Sequence, residues 1–348
     1  MNIFNRKKNI LVTGAKGQLG SYLVRELTCM SMKQQSCINK VFGIDIDDLD
    51  LRNSFDVADY FNTNVSNPNI KLDYVIHCAA ATNTSAIEQD PCKYYAANVL
   101  ATKNIADSCR FNNIKLIYIS TDYVFSEFSY EGCGGILHEF PVNQYGMQKL
   151  LAEKYAELAY ANKPKDLLIG RLSWLFGNSS SSFVEKLLVS ITNTYMNARN
   201  KSESEKICHK VANDAFGKPT PTWLVLNRIL DSIENQTYGI RDFQFNNNQI
   251  SRFKWATIIW NAFCNAFCAN VNEVDKIIFD MTKRIELVGA CSRDLNLNMM
   301  HPGLIKHNVI SSMHDDLFDF DQSTIAYIHE NFNRIYNTIV VEVINHIQ

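Results

Sequence analysis

The chain has 348 residues, 46% hydrophobic and 20% charged, a composition that supports one large or two medium globular domains and excludes a disordered or fibrous chain. Lys plus Arg number 34 against 36 Asp plus Glu, so a net charge of -2 offers no positive field to nucleic acid or an anionic membrane. No run approaches the roughly 18 apolar residues a membrane span needs, and the ten cysteines are scattered, several in apolar runs such as VIHCAA, as reduced core thiols are.

Residues 1–15, MNIFNRKKNILVTGA, are basic and then apolar, but the apolar part is too short for a signal peptide and reads as a first strand. A cytoplasmic location is therefore expected. Strand-like and helix-like segments then alternate. NILVTG is followed by the helical SYLVRELTCM, and KVFGIDI is a second strand ending on Asp45. Residues 54–62 read as a helix, LDYVIHCAAA as a strand, residues 92–110 as a long helix and IKLIYISTDYVF as a strand. NQYGMQKLLAEKYAELAYA is an amphipathic helix, followed by the strand DLLIGRLSW. Continuous apolar strands separated by helices predict an α/β, doubly wound parallel sheet of Rossmann type. After Trp174 polar loops, more Asn and fewer strands set in. The expectation is a dinucleotide-binding domain over 1–175 and a smaller, mainly substrate-binding domain over 176–348, with part of 205–235 returning to the first sheet.

Gly14, Gly17 and Gly20 sit between a strand and a helix. Glycine takes the positive φ of a tight turn and lets a pyrophosphate approach the backbone at a helix N-terminus. A plain glycine-rich strand–helix turn would read the same way. Asp45 separates the two, because it ends the second strand at a spacing that suits a carboxylate binding the adenine ribose. Such a carboxylate accepts a 2′-hydroxyl and repels a 2′-phosphate, so NAD is expected first and NADP second. Asp47, Asp48 and Asp50 could equally make Asp45 one member of a solvated acidic loop, in which Lys16 is the one nearby cation.

Tyr145 and Lys149 lie four apart on one helix face. A phenol of pKa about 10 is a poor proton-transfer group at neutral pH, but a neighbouring ammonium and an oxidised nicotinamide would favour the phenolate. Tyr145 is then a general acid for a carbonyl, with Lys149 hydrogen-bonding the nicotinamide ribose. An exposed Lys beside a half-buried Tyr would show the same spacing. Upstream, Ser120-Thr121-Asp122-Tyr123 ends a strand, where ligands of parallel sheets bind, so Thr121 is expected to share the carbonyl oxygen with Tyr145.

With these residues the chain resembles the extended short-chain dehydrogenase/reductase superfamily. Within it, STDYVF, Glu139, PVNQYGMQKLLAE and GRLSWLFG resemble the dTDP-4-dehydrorhamnose reductase family. The likeness runs from Asn9 to about Phe183, returns faintly in VANDAFGKPTPT and leaves a last echo in RDLNLN. It implies NAD(P)H-dependent reduction of the C4 ketone of a nucleotide-activated 6-deoxysugar, for polysaccharide biosynthesis. By position Tyr145 would donate the proton, Lys149 would bind and tune the cofactor, and Thr121 would polarise the carbonyl. Asp122, Tyr123 and Trp174 would contact the nucleotide-sugar substrate. Gly14, Gly17, Gln18, Leu19 and Gly20 would hold the pyrophosphate, and Asp45, Asp50, Leu51, Ala80 and Ala81 the adenosine and nicotinamide side. Asn98 matches an asparagine the family carries. Dehydratase relatives carry Asp-Glu after the threonine; here the pair is Asp122-Tyr123, which disfavours elimination.

Some positions depart from the family. Thr84-Ser85-Ala86-Ile87-Glu88 replaces an acidic and a basic residue, Ser126-Glu127 replaces Asp-Gly, and Asp294 stands where a proline is usual. These changes bear on the sugar rather than on hydride transfer. His77 reads as a core histidine, and His138, beside Glu139, as a loop residue. His209, His301 and His307 lack partners at ligand spacing, so no metal is expected. The superfamily resemblance implies a homodimer through residues 92–110 and 145–161. Two other readings fit the same motifs: a nucleotide-sugar epimerase or epimerase/reductase, and a non-catalytic dinucleotide-binding subunit resembling the regulatory subunit of methionine adenosyltransferase.

Overall fold

The computed structural model describes residues 7–33, 36–65, 71–125, 139–177, 182–202, 204–245, 249–267, 273–291 and 320–347. The chain divides into two units. In chain order the elements up to the first unit's fifth strand are β1 (Lys8–Thr13), α1 (Gln18–Ser31), β2 (Ile38–Ile44), α2 (Ser54–Tyr60), β3 (Tyr74–His77), α3 (Thr84–Gln89), α4 (Pro91–Tyr95), α5 (Ala101–Phe111), β4 (Lys115–Thr121), α6 (Gln144–Ala159) and β5 (Leu167–Leu172). There follow β6 (Leu175–Phe176), α7 (Phe183–Ala198), β7 (Ile207–Ala212), β8 (Phe216–Gly217), β9 (Thr220–Pro221), α8 (Thr222–Glu234) and β10 (Gly239–Asp242). The last are β11 (Ile250–Ser251), α9 (Arg252–Ala266), α10 (Glu273–Arg284), β12 (Ile285–Ala290), α11 (Phe320–Glu330) and α12 (Phe332–Ile347).

The first unit is built on a six-stranded sheet in the order β10-β5-β4-β3-β1-β2, every pair parallel. Ile10, Leu11 and Val12 are wholly buried, as are Val75 and Ile76, because helices cover both faces: α1 packs with α8, while α2, α5 and α6 pack together. The order reverses between β1 and β3, the topological switch point at which such sheets bind ligands beyond the strands' carboxyl ends. Thr13, His77, Tyr118 and Ile169 are paired neighbours in one row across four strands.

The domain boundary falls at Ser173, with Thr222–Gln244 rejoining the first unit. The returning segment overlaps the expected range over 222–235 and runs on to Gln244. β10 adds a strand beside β5 and α8 packs on α1, whereas β7 pairs with β12 in the second unit. Buried and exposed residues alternate through the first part of β7, which suits a two-stranded sheet with one open face better than a doubly covered strand.

The second unit packs α9 against α11, β7 and β12, and α7 against α12. Trp255 is buried at its centre and donates its indole N–H to Thr324 at 3.1 Å. Arg284 donates to the carbonyls of Arg199, Lys201, Ser202 and Glu205, tying down the charged segment after α7. No helix among the described residues is long and apolar enough to cross a membrane.

Candidate active site

The glycine turn is dictated by contact as well as by conformation. Gly14 has φ +68°, and a Cβ there would lie 2.8 Å from the Ala79 backbone, so the turn and the β3 exit touch main chain to main chain. The Gly17 N–H donates to the Gly14 carbonyl at 3.0 Å, and α1 starts at once, uncapped by any side chain. Gly14, Gly17, Asp45, Asp50, Leu51, Ala80 and Ala81 line one cleft of about 460 Å³. Gln18, Leu19 and Gly20 form the first turn of α1 beside it and are not among its lining residues. A glycine cradle at a helix N-terminus with a carboxylate across the cleft fits a dinucleotide.

Asp45 is fixed by the turn it faces: its two oxygens accept the Lys16 and Ile46 backbone N–H groups, each at 2.8 Å. Arg52 also lines the cleft, so Lys16 is not the one cation there. Arg52 escaped the sequence reading because it lies in the loop after β2, where only the fold shows which way the chain turns.

Beneath the cleft lies a buried polar chain. His77 bonds Thr13 at 2.7 Å through Nδ1 and Thr102 at 3.2 Å through Nε2, and burial lowers its pKa to about 3, with Lys149 adding to the effect. It is a neutral core histidine. Between α4 and α5, residues Ala96–Leu100 form a π-type turn, and there Asn98 is buried, accepts the Ala81 N–H at 2.8 Å and donates to Gln148 at 2.9 Å. Gln148 in turn donates to the Pro91 carbonyl at 2.8 Å. Asn98 thus holds the cleft wall to α6. Gln148 gave no signal in the sequence beyond its helical position.

Thr121 ends β4, and its hydroxyl accepts the Tyr123 N–H at 3.2 Å. Asn143 caps α6 by accepting the Gly146 N–H at 2.8 Å, while Glu88 accepts the Gln144 N–H at the same distance. A carboxylate at a helix N-terminus is favoured by the dipole, which gives Glu88 a place in α6 positioning. A Cβ on Gly146 would lie 2.1 Å from the Tyr123 carbonyl, so only glycine lets α6 start against the β4 exit. The result brings Tyr145 near Thr121 and sets its ring edge-on to Tyr123, centroids 5.6 Å apart.

Lys149 is 2% exposed; its ammonium donates to the Ile119 carbonyl at 2.8 Å and sits 4.2 Å from the Tyr118 ring centroid. Burial brings its pKa down to about 7, against the pull of the Glu153 carboxylate and the Cys78 thiol. Tyr145 is shifted up, by burial first and by Tyr123 and Asp122, with Thr121 opposing. The expected lowering of the phenol by Lys149 is therefore absent here, because the ammonium is turned to strand carbonyl and ring. Asp122 is raised to about 6 by burial, eased by its bond with Ser173.

Behind this group Arg171 is 2.5 Å from Glu153 and 2.8 Å from Glu139, and Ser120 donates to Glu153 at 2.5 Å. Glu153 follows Lys149 by one helical turn, a spacing from which it could have been found. Trp174 lies in the second unit, stacked on Trp255 with centroids 5.6 Å apart and with the Arg252 guanidinium 4.8 Å from its ring centroid. His209 bonds Thr194, and no metal-holding group occurs among the described residues. His138, His301, His307, residues 126–127 and RDLNLN lie outside them.

Comparison with known proteins places the chain in a family. The chain is 30% identical over 185 residues to a dTDP-4-dehydrorhamnose reductase of Aggregatibacter actinomycetemcomitans, covering 51% of this chain and 55% of that protein. It is 26% identical over 230 residues to a dTDP-4-keto-6-deoxy-D-glucose reductase of Streptomyces niveus, covering 66% and 70%. The chain thus spans about half the length of one curated relative and somewhat over two thirds of the other. In three dimensions it resembles a dTDP-4-dehydrorhamnose reductase of Bacillus anthracis solved in complex with NADP, with TM-score 0.70, 24% identity, and 93% and 99% of the two chains covered. The RmlD substrate binding domain family matches residues 8–277, and with the match covering well over half its length, the chain belongs to that family.

Proposed function

We propose that this chain is an NAD(P)H-dependent reductase acting on the C4 ketone of a nucleotide-activated 4-keto-6-deoxysugar such as dTDP-4-dehydro-L-rhamnose. The observation that carries this reading is that Thr121 ends β4 beside Tyr145 of α6, whose phenol it influences, one helical turn from Lys149. Two hydroxyls so placed can both bond one carbonyl oxygen. The family and the reductase names of the relatives support the reaction class.

The reduced nicotinamide supplies the hydride that becomes the new C–H bond at C4. Tyr145 gives its phenolic proton to the oxygen, so the C=O π bond is replaced by a C–H and an O–H bond, leaving an alcohol and an oxidised cofactor. Thr121 holds the oxygen in line and stabilises its growing negative charge. The upward shift of Tyr145 keeps it protonated at neutral pH, as a donor must be. Gly14, Gly17 and the start of α1, including Gln18, Leu19 and Gly20, take the pyrophosphate. Asp45, Asp50 and Leu51 take the adenosine, Ala80 and Ala81 line the path towards the nicotinamide, and Lys149 binds its ribose. Asp122, Tyr123 and Trp174 are assigned to the substrate. Tyr123 in place of a glutamate leaves no acid beside Asp122 for eliminating water. A cytoplasmic homodimer through α5 and α6 completes the proposal, supported by the exposed Phe111 and Leu158 on those helices and by free thiols.

The test is loss of reduced-nicotinamide absorbance on adding dTDP-4-dehydro-L-rhamnose. Rapid loss is expected, falling by at least about 100-fold in Tyr145→Phe, the scale of general acid catalysis, with cofactor binding retained. Interconversion of sugars without net loss of absorbance would replace the reductase with an epimerase. Cofactor binding without any turnover would favour a regulatory subunit.

A further inference from the structure

Lys149 is buried without a counter-ion. Among the described residues it makes no ion pair, because Glu153, one turn along α6, is held by Arg171 at 2.5 Å and by Ser120 at 2.5 Å. Glu153 therefore acts on the ammonium only through space. One of the three N–H groups goes to the Ile119 carbonyl. The next neighbour is a π face, with Nζ 4.2 Å from the centroid of the Tyr118 ring. The other titratable groups around it are His77, which ends β3, Cys78 just after it, and Tyr145 one turn back on α6. None of these is an anion at neutral pH. Burial pushes the Cys78 thiol up to about 12, raises both phenols and keeps His77 neutral.

The Tyr118 ring is itself fixed. It is wholly buried on β4, paired with His77 on β3 and Ile169 on β5. The His77 imidazole stacks against it, centroids 5.6 Å and planes 24° apart, and is locked by Thr13 and Thr102. A neutral imidazole does not compete with the ammonium for the negative face of the ring. An amine taken out of water needs a partner for its charge or it gives up its proton, and a desolvated ring face is such a partner. Resting on the reading of Lys149 as the ribose ligand beside Tyr145, we infer that Tyr118 is a positioning residue of that site, whose ring face holds the Lys149 ammonium in place of the carboxylate that Arg171 has taken. Removing the face while keeping the shape therefore leaves the amine to lose its proton at lower pH.

NMR titration of the full chain, with lysine labelled at Cε, reads Lys149 directly because it titrates well below ordinary lysines; Lys149→Met assigns the signal. Tyr118→Phe keeps the ring face and is expected to leave the midpoint near 7. Pentafluorophenylalanine in place of Tyr118 has nearly the same shape but a reversed ring quadrupole, so it keeps the fold and is expected to lower the midpoint by about one unit. The alkaline limb of kcat/KM for reduction moves down with it, leaving about tenfold less activity above the limb. A midpoint that is the same with tyrosine, phenylalanine and the fluorinated ring overturns the proposal, whatever the turnover. A midpoint that follows the ring with no turnover of dTDP-4-dehydro-L-rhamnose in any form supports Tyr118 as the holder of the ammonium and overturns the reductase reading alone.

Discussion

Lys149 is the residue whose environment departs furthest from its sequence expectation. Its charge is what the proposed chemistry needs, yet burial leaves it titrating near pH 7. The free protein therefore holds the ammonium below that pH and loses it above. Tyr145, shifted the other way, remains a protonated donor throughout. Because kcat/KM reports the free enzyme, its value for reduction is expected to fall as pH rises through about 7. Lys149→Met should lower the plateau and abolish that limb. A limb that survives the substitution would assign it to another group, with Asp122 the next to consider. Tyr145, Thr121 and Lys149 could be picked out from residue type and spacing. The direction in which Lys149 points, towards the Ile119 carbonyl and the Tyr118 ring, depends on a strand more than 25 residues upstream and left no local trace.

At the scale of elements, α6 carries both the proposed chemistry and the ion network that seats it. Arg171 on β5 reaches Glu153 on α6 and Glu139 just ahead of it, while Ser120 on β4 bonds the same Glu153. The side chain of Glu153 is fully buried and that of Arg171 nearly so. Breaking such a pair strands a charge in the interior. Arg171→Met is expected to cost about 3–5 kcal/mol in urea unfolding, whereas Arg171→Met/Glu153→Gln, with the charge gone, regains most of it. If the double variant is as unstable as the single one, packing of the Arg171 stem rather than charge holds the helix. The helix was legible in the sequence as an element, but not the face it buries, on which Gln148, Lys149 and Glu153 lie beside Gly146, Ala152 and Ala156. Its N-terminal partners, Asn143, Glu88 and the Tyr123 carbonyl beside Gly146, come partly from another helix and a strand exit.

For the whole molecule, the first unit is discontinuous. A chain ending at residue 175 contains every residue of the proposed chemistry except the second unit's other contributions, yet it lacks α8 and β10. It would expose the β5 edge and the face of α1 that α8 covers. Such a chain is expected to aggregate or to show no cooperative thermal transition by circular dichroism, and a sharp transition would show that the returning segment is dispensable. This boundary also separates what was readable from what was not. The alternation of apolar strands with helices, the glycine turn, Asp45 after β2 and the Thr121, Tyr145 and Lys149 set were determined by the sequence alone. Each depends on a period or a turn geometry contained within a few neighbouring residues. The joining of β10 to the sheet, the placing of Arg52 on the cleft rim, the Asn98–Gln148 link and the capture of Lys16 by Asp47 were decided only by the tertiary structure. Each joins segments far apart in the chain, and which segments meet is set by strand order and register, quantities that no local stretch encodes.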